Sequence, residues 1–367
     1  MALFTVETAA FRHHTKLLGV RGDAGGTSRL HAPRFALVGP GDTLRIRSSG
    51  PIQTMDVRGE AERSWIPVVP TFEQNEKFRF ANGEYLLRFH EVESAKDLAE
   101  YHRLESFHYR GRNLDADPRD GQPTQKVTGG RKSVLLASLT KGSNARTIGY
   151  IELQMPLMMC KPRHDLFERP FHHKREDIRW DAWLGDGQIH VNRIVRIARV
   201  VVDPEFRGLG ISGKLVETAK VFAAKRWTIG GKKPLFIEIS AEMLRYVDFV
   251  SKSGLSRVGC TEGNLDRIFK DLRSIERGAK GKSQIMSLQR KYHAAFSEYC
   301  QQTGKSFDEA RAILQELLQS SDPRSAMPSD EWLAFRPILR FPIPYHIGGL
   351  DDEARLYIAE SPEALRM

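Results

Sequence analysis

Cysteine is scarce in this chain, with Cys160, Cys260 and Cys300 the only three among 367 residues. Three scattered thiols make no disulfide framework, so stability has to come from burial. No apolar run approaches the roughly 20 residues that span a bilayer, and no membrane partner is expected. The opening stretch MALFTVETAAFRHHTK lacks a basic segment followed by an apolar core, the pattern of a secretory signal, so a reducing cytoplasm is the expected compartment. Internal repeats and low-complexity tracts are missing too. With 40% hydrophobic and 28% charged residues the composition is that of a folded globular protein rather than a disordered tail.

Positive charge, by contrast, is plentiful and unevenly placed. The formal charge is +10. Residues 1–84 hold 11 basic against 9 acidic side chains and residues 271–367 hold 13 against 14, while residues 85–270 hold 32 against 23. Nearly the whole excess lies in the middle, where an anionic cofactor or an anionic partner such as DNA or RNA would be favoured.

Three regions follow from the patterning. Residues 1–83 are rich in Gly and Pro, with short β-like runs RFALV (34–38), TLRIRS (43–48) and SWIPVV (64–69), and read as an N-terminal β-rich segment. Residues 84–271 alternate. EYLLRFHEV is a strand, Ser94 caps a helix through SAKDLAEYHRLESF, and SVLLASLT and TIGYIELQM form a hairpin. RIVRIARVVVD (193–203) is a strand, a glycine loop opens a helix to about Trp227, PLFIEIS is a strand, and AEMLRYVDFVSKSG (241–254) fits a helix stopped by Gly254. Residues 157–190 form a long irregular insertion. Beyond 271, residues 272–367 read as a helical hairpin, with Ser306 and Glu309 as a capping box, and an irregular tail.

The glycine loop lies in PEFRGLGISGKL. From Gly208, GLGISGK fits the G-x-x-x-x-G-K frame of a nucleotide-triphosphate loop. That frame needs Ser or Thr after its lysine to ligate Mg²⁺, and Leu215 stands there. Asp203-Pro204-Glu205-Phe206-Arg207 also separates strand from loop.

VVVDPEFRGLGISGKLVETA instead resembles the cofactor motif of the GCN5-related N-acetyltransferase superfamily, over residues 84–270 in the superfamily's order of elements. FVSKSGLSRVG is similar to its closing helix and turn. The Arg196, Ile197 and Arg199 lead resembles two narrower groups, the transfer-RNA cytidine acetyltransferases and acetyltransferase domains fused to ABC-type ATPases. The resemblance implies an α/β (α+β) fold, a mixed central sheet flanked by helices, with acetyl-CoA as donor. It implies pyrophosphate contacts from Arg207, Gly208, Leu209, Gly210, Ile211, Ser212 and Gly213, and main-chain contacts from Val200 and Val202. Ser212 stands where the family usually has Gly or Ala, and Val250 where many members carry a thiolate-protonating tyrosine; Tyr246 is the nearby substitute.

Acyl transfer to an amine needs a route for the amine's proton. Glu152, His190 and Glu238 are the candidate bases. The first helix's end, His108, Tyr109 and Arg110, and the aromatics of the insertion, Trp180 and Trp183 among basic residues, are candidate acceptor contacts. Cys160-x-x-x-His164 with His172 and His173 matches no zinc spacing, and no metal is expected. The expectation is therefore an N-acetyltransferase whose preferred acceptor is a nucleic-acid base. A protein or small-molecule amine is one alternative; a nucleic-acid-binding or base-modifying protein using another donor, or lacking transfer, is another. The oligomeric state is left open.

Overall fold

The computed structural model describes residues 2–12, 14–49, 52–59, 64–80, 83–108, 131–157, 160–174, 176–179, 190–261, 263, 287–319 and 342–361. Among them lie six α-helices and three sheets, a mixed α+β protein. No helix of the described residues is long and apolar enough to cross a membrane. The chain divides into two compact units, one of residues 1–259 with 344–367 and one of residues 260–343.

The first unit opens with a six-stranded antiparallel sheet. It comprises β1 (Ala2–Phe11), β2 (Thr15–Gly22), β3 (Thr27–Pro33), β4 (Thr43–Ser49), β5 (Ile52–Arg58) and β6 (Trp65–Pro67), in the order β3-β2-β1-β4-β5-β6. Strict alternation makes one face apolar: Val6, Leu18, Val20, Ala32, Leu44 and Val57 are buried together. RFALV is not a strand. Buried Lys16 donates to the carbonyls of Ala36 and Val38, at 2.5 and 3.2 Å, and holds that run as a loop.

The second sheet has eight strands: β7 (Glu73–Phe80), β8 (Gly83–Glu91), β9 (Lys132–Lys141), β10 (Asn144–Gln154), β13 (Ile194–Val202), β14 (Phe236–Ser240), β15 (Ser256–Cys260) and β16 (Pro344–Gly349). Their order is β15-β16-β14-β13-β10-β9-β8-β7. The sheet thus extends past the expected middle region at both ends. β7 pairs with β8 rather than with the N-terminal sheet, and β16, from the tail read as irregular, lies between β14 and β15 with all six residues buried.

Helix α1 (Ala95–Glu105), capped by Ser94 and Asp97 in a reciprocal box, packs Leu98, Tyr101 and Leu104 on one face of this sheet. Helix α3 (Ile211–Arg226) packs Ile211, Leu215, Ala219 and Phe222 on the other. Each such large side chain contributes about 1.5–3 kcal/mol on full burial. The described residues of the insertion include α2 (Lys161–Leu166), followed by a small hairpin of β11 (Phe171–His173) and β12 (Glu176–Ile178). Phe167, Phe171 and Phe236 pack there with Tyr357 of α6 (Asp352–Ala359). Two buried arginines join the N-terminal sheet to the rest of the unit: Arg131 pairs with Asp42 just before β4, and Arg226, itself paired with Glu91 of β8, donates to the carbonyls of Pro67 and Val69.

The second unit contains α4 (Ser287–Thr303) and α5 (Phe307–Gln319), with Gly304 at φ 68° between them. Glu309 accepts from the Ser306 amide at 2.7 Å, and the Glu309 amide donates back to Ser306 Oγ.

Candidate functional site

β13 is the strand around which the site is built. It pairs in parallel with β14 only from Ile194 opposite Phe236 to Ile197 opposite Ile239. On its other side it stays paired with β10 as far as Val202 opposite Gly149. Between them the register steps: Glu152 faces Arg199 but Leu153 faces Ile197, so Ala198 is an extra residue on β13. Such a bulge bends the strand that carries it, and it falls where pairing with β14 stops. From Ala198 to Val202 the β14 side of β13 has no strand partner among the described residues. Val200 and Val202 are half-buried in that stretch, against the α3 side of the core.

The loop beyond β13 is fixed at its start. Asp203 accepts from Arg103 Nη1 at 3.0 Å, from Arg146 Nη2 at 3.4 Å and from the Glu205 amide at 3.2 Å. Burial pushes the Asp203 carboxyl up, but the Arg103 and backbone donors and the Arg146 charge outweigh it and hold it below the usual range. Phe206 is buried, and exposed Arg207 folds back to give its Nε–H to the Val202 carbonyl at 3.2 Å.

Two left-handed residues then turn the chain, Gly208 at φ 80° and Gly210 at φ 76°. A Cβ on either would meet nothing within 4 Å. The glycines therefore answer to the backbone turn, and the space in front of them is open. Gly210 is the N-cap of α3 and has no side chain to accept the amides of the first turn, Ile211, Ser212 and Gly213. An uncapped helix start facing open space, beside an arginine, suits an anion. Half-buried Leu209 and Phe249 pack against the core beneath it, and Ser253 Oγ donates to the Gly213 carbonyl at 3.2 Å.

The expected bases are placed differently. Glu152 is fully buried, with Lys132 Nζ and the Tyr101 hydroxyl both 2.9 Å from its Oε2, and Gln154 on its other oxygen. Glu238 is held by Arg163 through both oxygens at 3.0 Å, and Tyr345 of β16 donates to it at 2.7 Å. Both carboxylates flank β13 from its neighbours β10 and β14, and both already carry cationic partners. His190 is buried at the N-cap of the short turn before β13. A nine-residue strand at about 3.3 Å per residue separates it from the glycine loop.

Residues 241–254 are two short 3₁₀ turns, Glu242–Arg245 and Ser251–Ser253, not one helix. Tyr246 is therefore not one turn before Val250 on a common face. Tyr246 is 64% exposed at the end of the first turn, whereas Val250 is fully buried in the core. Half-buried His108 follows the last turn of α1, from which Arg103 reaches Asp203 and the Thr147 carbonyl. Tyr109, Arg110, Trp180 and Trp183 lie outside the described residues.

Other chemistry-bearing groups are occupied. Burial, then the Glu238 charge, push the Cys160 thiol up to about 12, so it carries no thiolate at neutral pH. His172 pairs with Asp177 at 2.6 Å and His173 with Asp351 at 3.4 Å. The network of Tyr101, Glu105, Lys132 and Arg199 around Glu152 was not expected from sequence; helical spacing gives Tyr101 and Glu105 a common face but does not name Lys132 as their partner. Together, fold and site define a mixed α+β protein with a bulged, partly unpaired strand feeding an uncapped helix. No family model, curated protein or solved structure matches the chain.

Proposed function

We propose that the chain is an acetyl-CoA-dependent N-acetyltransferase of the GCN5-related type, with a nucleic-acid base as preferred acceptor. One observation carries the reading: β13 parts from β14 at the Ala198 bulge and runs through the Pro204–Phe206 turn into an uncapped, glycine-lined helix start. An extended ligand with amides at one end and a pyrophosphate at the other matches both features. The free edge of β13 at Val200 and Val202 would pair with the amides. The amides of Ile211 to Gly213, with Arg207, would hold the phosphates. The donor supplies a thioester: the acceptor nitrogen attacks its carbonyl carbon, the C–S bond breaks, sulfur leaves as thiolate, and the amine's proton passes to solvent.

The paired state of Glu152 and Glu238 bears on the acceptor. With both carboxylates held by cations and His190 a strand's length from the glycine loop, an acceptor that arrives unprotonated is favoured, and positioning supplies the acceleration. Exocyclic amines of nucleobases are uncharged at neutral pH, whereas alkyl amines of the lysine type are not. The test is calorimetry with acetyl-CoA and, in parallel, Mg-ATP. Saturable binding of acetyl-CoA alone is the expected result. Arg207→Glu, which sets a carboxylate beside the phosphates, should weaken it about tenfold. Binding of Mg-ATP alone, or unchanged affinity in folded Arg207→Glu, would sink the assignment. A second reading, a binding protein without transfer, is favoured by buried Val250 and the two paired glutamates. Release of free thiol in the presence of nucleosides or RNA separates the two.

A further inference from the structure

The outer face of the six-stranded sheet is unlike the rest of the N-terminal region. Register fixes which side chains share it: Thr5 with Arg21 and Thr27, Gly19 with Arg29, Leu17 with His31, Arg45 with Asp56, Arg47 with Thr54, and Arg58 with Trp65. Five arginines therefore stand on one face, Arg21, Arg29, Arg45, Arg47 and Arg58. Two strand-borne acids meet them among the described residues, and the first, Asp56, lies buried under Arg45 and Arg47 at 2.9 and 3.0 Å. Glu7, at the bulge in β1, pairs with Arg21 at 2.6 Å. Within the six strands six basic side chains stand against two acids, and five of those six basic residues share this face, Lys16 being the buried exception.

Trp65 sits at one edge of this face with the guanidinium of Arg45 4.4 Å from its ring centroid and that of Arg58 at 5.7 Å. Threonines occupy much of the remainder, with Thr5, Thr8, Thr27 and Thr54 exposed. We propose that this face binds a single strand of RNA. Arginine forks suit phosphate oxygens, and an indole flanked by guanidinium planes stacks with unpaired bases. Hydroxyls that donate and accept suit the ribose 2′-OH. A duplex keeps its bases from Trp65. An anionic membrane fits worse, because none of the large exposed apolar side chains of the described residues lies on these six strands. At about 4.8 Å per strand interval the face is about 24 Å wide, room for several nucleotides. The proposal does not rest on acyl transfer, although bound RNA would also bring acceptor bases to the same molecule.

The experiment is fluorescence anisotropy of the full chain with a labelled oligouridylate, titrated across about 50–200 mM salt. The variant Arg29→Ala/Arg47→Ala/Arg58→Ala should lose at least tenfold in affinity, and its salt slope should flatten by about 2, three contacts at about 0.7 each. Trp65→Leu should weaken binding about tenfold with the slope unchanged, because stacking releases no counterions. Arg29→Ala alone, on exposed edge strand β3, carries the test should the triple variant misfold, with its slope flattening by about 0.7. Acetyl-CoA binding by the arginine variants stays at the parental level, and Arg207→Glu keeps its RNA affinity, so failure of either proposal is visible without the other. The RNA proposal is overturned by any of four results: no binding of oligouridylate; a folded triple variant that binds like the parent; a DNA strand or duplex that binds as tightly; or capture by phosphatidylserine vesicles that displaces the RNA.

Discussion

Replacing Gly210 by alanine isolates the one feature on which the loop assignment depends. Gly210 sits at φ 76°, ψ 6°, where an L-residue costs about 1–2 kcal/mol. Its added methyl would meet no heavy atom within 4 Å, so that backbone cost is the whole expected loss in stability. A matched control exists in the same unit. Gly41, at φ 88° in the turn before β4, also faces open space and should lose the same amount on substitution. Chemical denaturation should therefore show both variants destabilised alike, by about 1–2 kcal/mol. Calorimetry with acetyl-CoA should then divide them. Gly41→Ala binds as the parent does, whereas Gly210→Ala loses at least tenfold, about 1.4 kcal/mol, because its methyl occupies the space a phosphate must enter. Equal affinity in the two folded variants would refute the reasoning, for the open space at Gly210 would then have no occupant.

Two further predictions concern buried charge in the same unit. Arg163→Met leaves Glu238 buried with Tyr345 as its remaining side-chain donor among the hydrogen bonds described, and should cost about 3–5 kcal/mol; adding Glu238→Gln should restore part of it, and denaturation of the two variants decides. Lys16 is pulled down to about 7, first by burial and then by the Arg131 charge. Its folded value lies below its unfolded one, so between about pH 7 and the ordinary lysine range the unfolded chain holds the extra proton and stability rises with pH. Lys16→Met should remove that slope, and a melting curve still as pH-dependent over the same window would contradict the assignment.

Much of the fold was legible because local rules and tertiary packing agree. Ser94 with Asp97, Ser306 with Glu309, and the alternation of TLRIRS each specify their element without distant help. The segment 241–254 shows where such rules fail. Leu244, Val247, Val250 and Gly254 fit a helix and its stop, yet the Asp248 side chain accepts from the amides of Val250 and Ser251 at 3.0 and 2.9 Å. That local turn competes with helix formation and wins, and it removes the basis for letting Tyr246 stand in for the tyrosine missing at 250.

The partners of the candidate carboxylates escaped the sequence for a different reason. A sequence displays a carboxylate but not the cation that claims it. Glu152 is neutralised by Lys132, 20 residues away and next to it across the β9–β10 hairpin, where Glu152 faces Val134. Glu238 is neutralised by Arg163 from a segment expected to be irregular, and accepts a hydrogen bond from Tyr345 on a strand that returns more than 100 residues later to lie between β14 and β15. That strand, PYHIGG, is short, begins with proline and has no alternation, because both its faces are buried and no polar side is needed. The sorting of arginines onto one face of the N-terminal sheet escapes notice for a related reason. A charge count sums over both faces of every strand, and only the register, set by turns and by the bulge at Glu7, shows that the excess is collected on the outer one.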